Sequence, residues 1–168
     1  MMPQKSESAA AARKDRLLRE HVHDPYQTPS KLPQPAVCPV CGATYSEGRW
    51  QWADPAPARA PRHTCEACRR ISDRYPAGII TLSGGFVTGH RNDLLRLVRH
   101  NESLEKQEHP LNRIMRIEER PDSIVITTTD IHLPHRIAEA VHGAYKGELA
   151  IRYDKEGYFA RVEWRRES

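Results

Sequence analysis

The feature that most restricts how this chain can fold is its set of four cysteines, placed as two matched pairs: Cys38-Pro-Val-Cys41, then twenty-three residues, then Cys65-Glu-Ala-Cys68. A Cys-x-x-Cys turn aims two thiolates at one cation, and two such turns complete the tetrahedral S4 shell that structural zinc prefers. Gly42, directly after the first pair, supplies a permissive backbone for the turn. No cysteine is left over. The sequence therefore predicts one structural Zn2+ held by Cys38, Cys41, Cys65 and Cys68. Rubredoxin-type iron takes the same geometry, so the ligands alone leave zinc and iron both open. A dithiol switch fits less well, because it calls for a single Cys-x-x-Cys beside a βαβ pattern. A closed shell has no position for water or substrate, which makes the expected metal a scaffold rather than a catalyst.

The compartment agrees with that use of cysteine. No apolar run reaches membrane-spanning length, and MMPQKSESAA lacks the apolar centre of a secretory signal. A cytoplasmic protein without a membrane partner is expected, and reducing conditions favour metal binding over disulfides. Hydrophobic residues make up only 38% of the chain, and ten of its thirteen prolines precede Ala77. Part of the chain is therefore expected to stay unpacked.

Three segments follow. Residues 1–35 read as a flexible or disordered tail, with a helical turn or two within Ser6–Glu20 and a proline-rich stretch from His23 to Pro35. Residues 36–75 form a zinc ribbon, lengthened by the Pro/Ala-rich insert 53–62. From residue 76 to 168 the pattern becomes that of an α+β domain. Ile79–Leu82 is a short strand and Gly84-Gly85 breaks it; a helix from Asn92 or Asp93 to about Glu108 follows, with Leu94, Leu97, Val98 and Leu104 on one face. Arg113–Glu119 and Ser123–Thr129 read as two strands about a turn at Pro121. Asp130 can cap a second helix, Leu133–Lys146, with Leu133, Ile137, Ala140, Val141 and Ala144 in phase. Strict alternation from Leu149 to Tyr153 and from Tyr158 to Arg165 predicts a hairpin with one wet face. The order matches a ferredoxin-like, split βαβ antiparallel sheet with two helices and one additional C-terminal strand.

The formal charge of +4 is confined to the first 75 residues, since the remainder carries fourteen basic and fourteen acidic groups. Four thiolates on Zn2+ add about −2 locally, so net charge alone says little. Its distribution says more. Arg49, Arg62, Arg69, Arg70 and Arg74 crowd the ribbon beside Trp50 and Trp52. Guanidinium groups suit phosphate and exposed indoles can stack on bases, which makes these arginines candidate nucleic-acid contacts. The tryptophans are equally suited to packing the ribbon's small core.

Catalytic constellations are missing: there is no Walker loop, no GxSxG elbow, no HExxH and no spare thiol. His132, His135 and His142 complete no metal site, and Gly84, Gly85 and Gly89 fit no nucleotide fingerprint and read as turn residues. A binding protein without a small-molecule substrate is expected, not an enzyme.

CPVCG, CEAC followed by two arginines, and the distal ITTTDIHLPHRIAEAVHGAYKGEL together resemble small bacterial relatives of the nonsense-mediated mRNA decay protein three family, over about residues 36–166. Archaeal and eukaryotic members are zinc-containing adaptors of the large ribosomal subunit. The resemblance implies that the four cysteines are metal ligands and that the partner is the ribosome or rRNA. Eukaryotic members carry further cysteine pairs, domains and export signals that this chain lacks. The expected function is RNA or ribosome binding, with effects on ribosome stability, translation or RNA decay. The alternative is a zinc-dependent adaptor or stress regulator whose partner is a protein.

Overall fold

A computed structural model describes residues 24–29, 31–53 and 55–168; the helical turn expected within 6–20 lies outside them. The chain is of the α+β class, with three helices among the described residues. Two sheets divide it. The first is small: β1 (Ala36–Val37), β2 (Thr44–Ser46) and β3 (Arg49–Gln51) pair antiparallel in that order. A helix, α1 (Glu66–Asp73), follows.

The larger sheet is built from β4 (Gly78–Ser83), β5 (Ile114–Arg120), β6 (Ser123–Thr128), β7 (Glu148–Tyr153) and β8 (Ala160–Arg165), in the order β5-β6-β4-β8-β7. Two helices, α2 (Gly85–Glu108) and α3 (His132–Tyr145), pack on one face of it. Alternation in the sequence becomes alternation of burial. Ile80 and Leu82 of β4, Ile124 and Ile126 of β6, and Val162 and Trp164 of β8 are all fully buried. Against them lie Leu94 and Val98 of α2 and Leu133, Ile137, Ala138 and Val141 of α3. The in-phase positions Leu104 and Ala144 are exposed instead. Gly78 lets β4 start beneath α3: a Cβ there would collide with the Thr128 hydroxyl and the Pro134 ring.

The expected antiparallel plait is changed in one place. In a split βαβ plait the strand after the second helix lies beside the first strand. Here β7 is displaced to the edge, and β8 inserts between it and β4, running parallel to β4 while pairing antiparallel with β7. The C-terminal strand is thus internal, consistent with Ala160, Val162 and Trp164 being buried on one side of it. The hairpin itself forms as the alternation predicts.

A second difference concerns α2, which begins at Gly85 rather than Asn92 and kinks at His90. The glycine pair does not simply break the chain. Gly84, at φ 102°, and Gly85 let the C-terminal segment cross the start of the helix, where side chains would strike the Arg166 and Glu167 carbonyls. The Phe86 amide donates to the Arg166 carbonyl at 3.1 Å. This helix start is occupied by the chain's own backbone, which fits the turn-residue interpretation of these glycines. Asp130 caps α3 as its sequence position suggests, accepting from the His132 and Leu133 amides at 2.8 and 3.1 Å.

The expectation of a free tail to residue 35 is corrected over 24–29, where the chain is docked on α1. Asp24 pairs with Arg70 at 3.0 Å, Tyr26 donates its hydroxyl to Asp73 at 2.8 Å, and Thr28 donates to Glu66 through both its amide and its hydroxyl. Prolines favour extended backbone, and an extended segment can still lie along a helix when its side chains find partners.

Candidate metal centre

The first cysteine pair sits on a tight turn between β1 and β2. The Gly42 amide donates to the Cys38 carbonyl at 2.9 Å and the Cys38 amide to the Ala43 carbonyl at 2.8 Å, with Gly42 at φ 80°. The second pair is at the start of α1, where Cys65 is the N-cap and accepts the Cys68 amide on its sulfur at 3.4 Å. A helix N-terminus favours a thiolate, because unpaired amides and the helix dipole both stabilise negative charge there. His63 donates its amide to the Val37 carbonyl at 3.0 Å, which brings the two pairs together.

All four sulfurs lie within 4.8 Å of one another, and Cys41 and Cys65 are 3.8 Å apart. A disulfide needs about 2.05 Å between sulfurs, so all four cysteines are free. Tetrahedral ligands at a Zn–S distance of about 2.3 Å stand roughly 3.8 Å from each other, so the cluster has the dimensions of a closed S4 site. Cys38, Cys65 and Cys68 are buried. Backbone amides of Ala43, Cys65 and Cys68 reach the sulfurs of Cys41, Cys38 and Cys65 at 3.4 to 3.5 Å. These donors favour ionised sulfur.

The strongest of the outer contacts comes from a residue that the sequence reading passed over. Arg113, just before β5, reaches out of the large sheet into the cysteine cluster. Its Nη2 donates to Cys41 at 3.1 Å and to Cys65 at 3.6 Å, and its Nη1 to Cys68 at 3.4 Å. Nε is fixed by the Pro110 carbonyl at 2.6 Å, and the Arg113 amide donates to the Thr129 hydroxyl at 3.0 Å. Burial works against its charge, but the bonds to Cys68 and Cys41 outweigh this and hold its pKa above the ordinary arginine value. One cation among four sulfurs offsets much of the −2 that a divalent metal leaves on an S4 site. A hint lay in the sequence: this arginine sits where the β5 pattern begins, and only the fold shows that it faces sulfur.

Protons fit the same scheme. The Cys41 thiol is held down to about 4, chiefly by a hydrogen bond from Cys65, against burial and with help from the Ala43 amide and Arg113. That bond and burial push Cys65 up. A cation bound between them displaces the shared proton, so metal affinity falls as pH falls.

The candidate phosphate contacts separate into two groups. Arg49, Arg62 and Arg74 are exposed, and none has an ion-pair partner among the described residues. Arg70 is a correction: it is 4% exposed, bound to Asp24 and stacked 4.3 Å from the Tyr26 ring centre, so it is not available to phosphate. Arg69 is half-buried and spends its Nη2 on the Tyr26 carbonyl at 2.7 Å. The residues following the second knuckle thus hold the 24–29 segment. Trp50 packs against the cysteines, its indole donating to Thr28 at 3.0 Å, and Trp52 donates to the Lys106 carbonyl at 2.7 Å. Trp52, Leu111 and Arg113 together join the cysteine module to the rest of the molecule.

His132 and His135 line a groove with Glu105, His109 and Glu139, where His135 bonds Glu139 at 2.9 Å. His142 is exposed, and among the described residues only the cysteines converge closely enough to hold a metal. No helix among the described residues is long and apolar enough to cross a membrane. Compared with known protein families, curated proteins and solved structures, the chain matches none.

Proposed function

We propose that Cys38, Cys41, Cys65 and Cys68 hold one structural Zn2+ and that the ribbon they organise binds RNA on the ribosome, in the cytoplasm. In this interpretation the chain is a zinc ribbon joined to a rearranged plait and is a binding protein rather than an enzyme. The observation that carries it is the combination of a closed four-sulfur site with unpaired, exposed arginines, Arg49, Arg62 and Arg74, on the module around it. A closed site leaves no coordination position for substrate, while unpaired guanidinium groups suit phosphate. The resemblance to zinc-containing adaptors of the large ribosomal subunit supports the ribosome as the place of binding, with ribosome stability, translation or RNA decay as the process affected.

Co-sedimentation with separated ribosomal subunits at two salt concentrations tests this, with the Cys65→Ser/Cys68→Ser variant as control. Pelleting with one subunit that weakens steeply with salt and is lost in the variant is the expected result. Wild-type protein that stays in the supernatant at low salt refutes it.

One observation favours a protein partner instead. Val40, at the tip of the first knuckle, is 71% exposed, an apolar side chain on a rigid turn. An adaptor using that tip would bind its partner insensitively to salt and to ribonuclease.

A further inference from the structure

Both long helices lie on one face of the large sheet, and the other face carries an ordered arrangement of charge. Strand register places Arg116, Thr127, Ile79, Arg161 and Arg152 in one row across β5, β6, β4, β8 and β7. With strands about 4.8 Å apart, this row is roughly 19 Å long. The next row holds Glu118 and Glu163, and the one beyond it Arg120 and Arg165.

The rows differ in how their charge is used. Arg120 pairs with Glu118 and Arg165 with Glu167. Arg116, Arg152 and Arg161 are exposed and have no ion-pair partner among the described residues. Arg152 stands directly opposite Arg161 on neighbouring strands. Like charges so placed cost stability, and no ion pair among the described residues offsets them. At the β5 end the row opens into a groove of about 550 Å³ lined by Ile71, Arg74, Pro76, Met115, Arg116 and Thr127. Through Arg74, the row is therefore continuous with the cysteine module. Half-buried Phe159 lies just ahead of β8, two residues before Arg161, whose guanidinium is 5.6 Å from its ring centre.

We propose that this row is a docking surface for single-stranded RNA, with its arginines on the phosphates and Phe159 as a stacking platform. It rests on the RNA-binding function proposed above and adds the sheet to the ribbon as a second contact surface, the one that contributes more of the affinity. Charge complementarity calls for a polyanion. The apolar Ile79 and Met115 between the guanidiniums, and an aromatic ring beside Arg161, suit bases better than the carboxylates of an acidic peptide.

The test is fluorescence anisotropy with a labelled twelve-nucleotide oligouridylate over a salt series. Arg152→Gln/Arg161→Gln is expected to weaken binding about tenfold or more and to flatten the log–log salt slope by about 1.4, two contacts' worth for a single strand. Arg49→Gln/Arg62→Gln, on the ribbon, is expected to weaken binding by the smaller factor of about threefold. Thermal melting of the sheet variant checks its fold, and relief of the opposed charges predicts a melting temperature no lower than wild type. The reverse pattern, with the ribbon pair essential and the sheet pair neutral, overturns the sheet surface while leaving RNA binding intact. Polyglutamate of equal charge competing as well as RNA overturns single-stranded RNA as the occupant. Wild-type protein that fails to bind at low salt overturns both proposals.

Discussion

The cysteine module and the large sheet are stabilised by different means. The sheet and its two helices enclose fourteen buried apolar residues in one cluster, from Ile80 to Trp164. The module's cluster consists of Cys38, Cys65, Ala67 and Cys68, with Trp50 and Leu111 leaning on it. Three of its four buried members belong to the four-sulfur cluster. Remove the attraction between sulfur and cation, and too little apolar surface remains to offset the entropy of ordering three strands of two or three residues each. One region folds because it is apolar inside; for the other we propose that a cation shared by four thiolates supplies the missing stability.

Metal removal is the most forceful way to break this comparison. Structural zinc contributes on the order of 10 kcal/mol in small sites, so chelation or Cys65→Ser/Cys68→Ser should unfold the module and leave the sheet standing. Near-UV circular dichroism of Trp50 against far-UV ellipticity reads the two separately. Trp164→Ala should do the converse. It empties the centre of the sheet's core and leaves the Lys146 carbonyl without its indole donor, at a cost of about 3–5 kcal/mol by denaturant titration.

Arg113→Met sharpens the comparison at the joint. The thiolates lose their buried cation, and metal affinity measured by chelator competition should fall about 10- to 100-fold. Arg113→Lys should recover only part of it, because an ammonium cannot reproduce the fork across Cys41 and Cys68.

The smallest effect belongs to the sheet alone. Burial raises the Asp130 pKa to about 6, against the favourable amides of His132 and Leu133, from an ordinary value of 3.8. The folded chain therefore keeps a proton that the unfolded chain releases, and stability falls as pH rises from about 4 to 6. That cost is complete above pH 6. Asp130→Asn keeps a capping acceptor without the charge, so it should stabilise the protein by on the order of 1–2 kcal/mol at pH 7 and by nothing below pH 4. Melting curves of both proteins across that window check the sign.

Much of this was legible in the sequence. The convergence of the four cysteines follows from spacing, and five of the eight strands and both long helices follow from periodicity, because burial on one face writes a period of two or 3.6 into the residues. Three things were not. Strand order depends on where β8 inserts, and alternation is the same for an inner strand beside β4 as for an edge strand. Arg70 and Arg69 look like surface arginines, since only folding brings Asp24 and the Tyr26 carbonyl to them from more than forty residues away. Arg113 is seventy-two residues from Cys41, and no local pattern connects a guanidinium to a thiolate at that distance.

The most direct test is amide hydrogen exchange on metal-loaded protein and on the same protein after chelation. The expected result is loss of protection across β1, β2, β3 and α1 together, with β4, β6 and β8 exchanging as slowly as before. Equal loss of protection in both regions would mean that the metal holds the whole molecule, and no loss in either would mean that the four cysteines do not organise their module through a metal at all.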